Sequence, residues 1–168
     1  MRGDMGKLKE IALFKKTYDF TLLVDDAHGI RVMGPNDAGT GEHQGVQDSI
    51  DLYFGTFAKA FAAIGAFVSG KKEIIQYLRY NMRSQIYTKS LPMPVVFGVH
   101  QRLQLIQDKP ELRKKLWEIT KTLQDGLIQA VLDIGNTQSP VTPVYLRGSI
   151  KQATRLVENL REHHSIFC

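Results

Sequence analysis

Apolar residues along this chain change their period several times, and each change marks an element. In "GKLKEIALFKKTY", Leu8, Ile11 and Phe14 recur at helical spacing, and the run "FTLLVDD" that follows has the length and composition of a strand. Five glycines (Gly29, Gly34, Gly39, Gly41 and Gly45) together with Pro35 and Asn36 then predict a loop from His28 to Gln47. "SIDLYFGTF" predicts a second strand ending near Thr56, "GAFVSG" a third, and "KKEIIQYLRYNMR" a helix with Ile74, Ile75, Leu78 and Met82 on one face. "PMPVVFGVHQRLQLI" reads as a helix opened by proline. Pro110 opens another, through Leu132, with Leu112, Leu116, Ile119, Leu123 and Leu127 every three or four residues. Asp108 to Pro110 is the expected domain boundary. Beyond it the pattern predicts a strand near "TPVYLRG", a helix from Ser149 to about His163, and the start of a further apolar element at "SIFC", so that the chain is expected to stop inside an element. Helices alternating with strands define an α/β class.

Composition narrows the function classes. With 168 residues, 43% of them hydrophobic, the chain can bury one core of ordinary domain size. The net charge of +5 is spread over helical faces such as "ELRKKLWEITK", without an arginine-rich or aromatic-interleaved run, which argues against nucleic acid as a partner. No apolar run reaches membrane-span length, and the N-terminus has no signal-peptide pattern. The lone cysteine, Cys168, has no internal partner, so the expected location is the reducing cytoplasm.

Two places carry candidate chemistry. "LLVDDAHG" runs from an apolar strand straight into Asp25, Asp26 and His28, at the strand end where α/β sheets gather functional groups. A turn or helix cap is one alternative and a metal site another, although further ligands at metal spacing are lacking. In "YFGTFAKAFAAIG", Lys59 stands among small and apolar residues at the end of the next strand. Such surroundings disfavour the ammonium and suit amine chemistry, including Schiff-base formation; the alternative is a lysine that reaches out to water.

Taken in order, "VDDAHGIRVMGPNDAGTGEH", "DLYFGTFAKAFAAIGAFVSG" and "RSQIYTKSLPMP" resemble the α-oxoamine synthases, pyridoxal phosphate enzymes that include serine palmitoyltransferase, glycine acetyltransferase and amino-oxononanoate synthase. The resemblance implies part of a fold-type I transferase, with residues 1–108 the C-terminal half of the large cofactor-binding domain and 109–168 the start of a small α+β domain. It implies pyridoxal 5'-phosphate as cofactor, with Asp25 pairing the pyridine nitrogen, His28 bonding the ring's phenolic oxygen and Ala27 letting the ring lie close to the strand. Lys59 would carry the cofactor and then act as base or acid, Thr56 would meet its phosphate, and Thr88 would reach the phosphate of a neighbouring subunit in a homodimer with shared active sites. Asp26 is expected to be structural. The implied reaction is a decarboxylating condensation of an amino acid with an acyl-CoA.

Several positions depart from that pattern. Arg31 and Asp37 stand where glycine is frequent, Ala58 replaces the glycine before the lysine, and Gly65–Ala66 replaces a glycine pair. The resemblance begins inside the large domain, which leaves the ring-stacking residue, much of the acyl-CoA site and the carboxylate-binding arginine outside the chain. We therefore expect a fragment that is inactive alone and that exposes strand edges and apolar surface. A noncatalytic remnant keeping a cofactor pocket or a dimer surface is the alternative function; a metal-dependent hydrolase built on Asp25, Asp26 and His28 ranks third.

Overall fold

The computed structural model describes residues 2–167, and they form two compact units: residues 5–116, and residues 117–167 together with 2–4. Cys168 lies outside the described residues.

The larger unit is built on a three-stranded sheet in the order β1 (Leu23–Asp25), β2 (Leu52–Thr56), β3 (Ala66–Gly70). β1 and β2 are parallel, with Leu23 opposite Leu52 and Asp25 opposite Phe54; β2 and β3 are antiparallel, with Thr56 opposite Ala66 and Leu52 opposite Gly70. The apolar run "FTLLVDD" is longer than β1 because β2 offers ladder partners to only three of its residues. Single bonds extend the pairing at each end, from Asp51 and Leu52 N–H to Leu22 O (3.0 and 3.1 Å) and from Asp26 N–H to Phe54 O (3.0 Å).

Helix α1 (Leu8–Phe14) precedes β1 and buries Leu8 and Ala12, while Ile11 and Phe14 of the expected face are exposed. It is tied to the sheet by Lys15, whose ammonium donates to Ser49 O (3.0 Å) and pairs with Asp51. Asp51 also accepts Leu22 N–H (2.7 Å), and these donors, the Leu22 N–H first, hold its carboxyl below the usual range. The glycine-rich stretch expected as loop contains a single helical turn, α2 (Thr40–His43), and a 3₁₀ turn (Gln47–Ser49). After β3 come α3 (Lys72–Asn81), the short α4 (Arg83–Ile86) and α5 (Met93–Asp108), which starts behind Pro92 with a second proline, Pro94, in its first turn. The core is small, formed by Leu8, Ala12, Leu22, Met33, Leu52, Tyr53 and Phe61, and Leu23, Ile64, Tyr77 and Tyr80 are exposed.

Helix α6 (Glu111–Gln129) runs from the first unit into the second, which also holds α7 (Ile150–His164). No strand forms at "TPVYLRG". Residues 142–148 are irregular because, among the described residues, their backbone finds one backbone partner, Tyr145 N–H to Asp133 O (2.7 Å), and a single bond does not make a ladder. The segment is held instead from α6, where the Gln124 amide donates to Ser139 O and Thr142 Oγ1 (both 3.0 Å), and from Gly3, whose carbonyl accepts Gln138 N–H (2.8 Å). α7 begins with a capping box: Ser149 Oγ accepts Gln152 N–H and Gln152 Oε1 accepts Ser149 N–H (2.8 Å). Ser165, with φ 53°, ends the helix in the left-handed region. Ser149→Ala should cost about 1 kcal/mol, seen as a fall in helical circular dichroism on heating. An unchanged melt of this unit would show that the cap contributes nothing.

Candidate active site at the ends of β1 and β2

Because β1 and β2 run parallel, their C-terminal ends open on one edge of the sheet, and two turns rise from that edge. The first follows Asp25. Asp26 O accepts Gly29 N–H (3.0 Å) and Ile30 N–H (3.1 Å), which closes the turn carrying Ala27 and His28. Asp25 is exposed and uses one carboxylate oxygen to accept Ala27 N–H (3.0 Å), so its other oxygen faces no hydrogen-bond donor of the described residues.

The second turn joins β2 to β3 and carries Lys59. Phe57 N–H bonds Gly65 O (2.9 Å), Ala63 N–H bonds Phe57 O (2.8 Å) and Ala62 N–H bonds Lys59 O (2.9 Å), with Ala62 at φ 46°. Phe57 lies edge-on to Phe61 (centroids 5.5 Å apart) and stacks on Phe67 (5.4 Å), so the turn rests on an aromatic base. Gly55 is required beneath it, since a Cβ there would fall 2.5 Å from the Phe67 ring. Lys59 itself is exposed, contrary to the apolar surroundings expected from sequence: the phenylalanines that flank it turn into the unit and Phe61 is buried, leaving the intervening residues at the surface.

Thr56 sits between the two turns with its hydroxyl in use, accepting Ala58 N–H (3.1 Å) and donating to Gly65 O (3.2 Å). A phosphate taken up by Thr56 would compete with Gly65 for that proton. Thr88 is exposed in the segment between α4 and α5 and shares no hydrogen bond with the residues of this edge. His28 and Lys59, by contrast, sense each other. Partial burial, and then the Lys59 ammonium, hold the imidazole below its ordinary value of 6.5, against the pull of Asp25. His28 is therefore mostly neutral at pH 7 and can accept a hydrogen bond. The His28 C–H resonances should titrate below 6.5 in the native protein and at higher pH in Lys59→Met; identical midpoints would show that the two side chains are uncoupled.

Asp26 faces the other way. It is buried and accepts Thr40 N–H (2.7 Å), and it bonds the Thr40 and Tyr53 hydroxyls as well. The Tyr53 hydroxyl also lies 3.1 Å from Ala38 O, and its single proton can serve only one of the two acceptors. Burial raises the Asp26 carboxyl above its ordinary 3.8, more than the Thr40 bonds lower it. When Asp26 keeps its proton, it can donate to Tyr53 while Tyr53 donates to Ala38, and both contacts are satisfied. This hub ties the turn carrying His28 to β2, and sequence reasoning found only one of its members. With Asp26 turned inward, the hydrolase alternative loses a ligand, and among the described residues no three His, Cys, Asp or Glu side chains gather around a metal position.

The chain belongs to the aminotransferase class I and II family, whose pattern it matches over residues 4–168. Within that family its relatives are α-oxoamine synthases. It is 56% identical over 167 residues to the cysteate-C-fatty acyltransferase of Capnocytophaga ochracea, covering 99% of this chain and 40% of that protein. It is 36% identical to the serine palmitoyltransferase of Sphingobacterium spiritivorum, covering 90% of this chain and 38% of that one. Among solved structures it resembles the serine palmitoyltransferase of Sphingomonas wittichii (30% identical, 96% of this chain and 41% of that one, TM-score 0.90). A serine palmitoyltransferase solved with PLP matches as well (31% identical, 95% and 40%, TM-score 0.89). The fold is thus that of a fold-type I, PLP-dependent transferase, and the chain spans about 40% of the length of the curated relatives it matches. The donor set at the sheet edge fits pyridoxal phosphate: a carboxylate with one open oxygen, a neutral imidazole and an exposed primary amine stand on adjacent turns.

Proposed function

We propose that the protein containing this chain is an acyltransferase that condenses an amino acid with a fatty acyl-CoA, with loss of the amino acid's carboxylate. The observation that carries this reading is the meeting of the Asp25, His28 and Lys59 turns on one edge of the sheet. Bound there, pyridoxal phosphate supplies an electron sink for the carbon beside the substrate amine. Asp25 supplies the open carboxylate oxygen that pairs a protonated ring nitrogen. His28 bonds the ring's phenolic oxygen and fixes its orientation. Ala27 leaves room against the strand. Lys59 holds the cofactor covalently and, once released, moves a proton at the substrate α-carbon, for which its exposed position leaves it free to swing. Thr56 binds phosphate after giving up Gly65 O, and Thr88 serves the partner subunit of a homodimer. The small domain begins after Asp108, and the enzyme acts in the cytoplasm.

Cysteate is the amino acid we favour, because identity to the cysteate enzyme (56%) exceeds that to the serine enzyme (36%) by a wide margin. The test is release of free CoA from palmitoyl-CoA by the complete protein loaded with pyridoxal phosphate, with cysteate, serine, glycine or alanine as the second substrate. Highest kcat/KM with cysteate supports the full reading. A preference for serine would overturn the substrate and keep the reaction, whereas no release with any amino acid would overturn the reaction itself.

A further inference from the structure

Arg31 and Asp37 both have left-handed backbone, with φ 63° and 64°, although neither is glycine. A side chain there is strained, and such strain persists where the surroundings over-determine it. Here they do. Arg31 N–H bonds Asp37 O (2.8 Å) and Gly39 N–H bonds Met33 O (2.9 Å). Glu42 accepts the Asn36 and Ala38 N–H groups (both 3.0 Å) and the Asn36 amide (2.7 Å). Arg113, in the first turns of α6, pairs with Asp37 and donates to Gly34 O. The loop from Arg31 to Ala38 is therefore a rigid mount.

It holds Arg31 at a cavity of about 260 Å³ that Lys109 and Arg113 also line, with Ala60 of the Lys59 turn and the apolar Val32 and Ile106 as walls. Three basic residues thus line one small space. Asp37 offsets Arg113, and the C-terminal carbonyls of α5 offset Lys109, its cap residue. Arg31 has no such offset: its Nε is buried and has no hydrogen-bond partner among the described residues. A buried donor on a charged group without an acceptor is costly, and an anion in the cavity would relieve that cost.

We propose that Arg31, Lys109 and Arg113 bind a small tetrahedral oxyanion, a sulfonate or phosphate group, in the cavity beside the Lys59 turn. Apolar walls next to the cations suit an anion carried on a carbon chain better than a free, fully hydrated ion. The assignment does not depend on the acyltransferase reading, since binding can be measured without turnover.

The test titrates methanesulfonate and methyl phosphate into the complete protein with pyridoxal phosphate bound, so that the cofactor's own phosphate subsite is taken. Heat of binding and thermal midpoint are followed against sodium chloride of matched ionic strength. Saturable binding is expected, weakened at least tenfold in Arg31→Gly and in Lys109→Met and unchanged in Lys16→Met. Arg31→Gly relieves the left-handed strain and should melt no lower than the native protein, which separates lost binding from lost structure. Tighter binding of methanesulfonate assigns the cavity to a sulfonated substrate, and tighter binding of methyl phosphate to a phosphorylated one. If neither anion binds beyond chloride, or if both cavity variants bind as the native protein does, the proposal is overturned.

Discussion

Lys59→Ala in the complete protein is expected to abolish acyl transfer and to leave pyridoxal phosphate without a covalent anchor. The turn holding Lys59 rests on Phe57, Phe61 and Phe67, none of which touches the amine's role, so the fold should survive the substitution. Removing the group that moves the α-proton costs about 10²- to 10⁴-fold on general grounds, and loss of the covalent step adds to this. Borohydride reduction followed by peptide mass analysis should place the cofactor label on Lys59 in the native protein. A label on Lys89, or turnover of Lys59→Ala within tenfold of native, would remove Lys59 from the mechanism.

The two adjacent aspartates should behave oppositely. Asp26→Ala strands the Thr40 N–H and hydroxyl, while the Tyr53 hydroxyl keeps Ala38 O, for a loss of about 2–4 kcal/mol. Asp26→Asn should be mild, within about 1 kcal/mol, because its carbonyl can accept from Thr40 N–H and Tyr53 while its amide meets the Thr40 hydroxyl. Since burial raises the Asp26 pKa, the native state holds this proton more tightly than the unfolded chain does. Stability from this group is therefore complete below the ordinary 3.8 and is lost as pH rises through the folded value, and Asp26→Asn should remove that slope. Asp25→Asn, at the surface, should leave the melt alone but lower turnover roughly ten- to a hundredfold through the weakened pairing to the ring nitrogen. Denaturant melts across pH, set beside kcat for each variant, check the pair. If Asp26→Asn stopped turnover while Asp25→Asn kept it, the assignment of the two residues would be reversed.

What the sequence made legible follows from the range of the interactions concerned. α3, α5, α6 and α7 announce themselves by local periodicity, by Pro92 and by Ser149, and β2 and β3 by apolar runs between turn residues. β1 is shorter than its apolar run and "TPVYLRG" forms no strand, because strand length depends on partners elsewhere in the chain. At the site, Asp25, His28 and Lys59 stand out as polar groups at strand ends. The hub behind them does not, since Tyr53 is an ordinary residue inside β2 and Thr40 opens a single helical turn, and nothing in either segment points to Asp26. Arg31 and Asp37 are visible as departures from glycine, but their left-handed backbone and the clamp from Arg113 appear only in three dimensions.

The antiparallel pairing of β2 with β3 bears on the order in which this edge assembles. Thr56 meets Ala66 across a short connection, whereas Asp25 meets Phe54 only after the whole glycine-rich stretch has been closed into a loop. Closing the shorter loop costs less chain entropy, so the β2–β3 hairpin with its phenylalanines can nucleate first and the acidic turn joins it later. Substitutions at Phe57 or Phe67 should then slow refolding, while those at Asp26 or Thr40 should chiefly speed unfolding, making the amine's turn the early scaffold onto which the rest of the edge condenses.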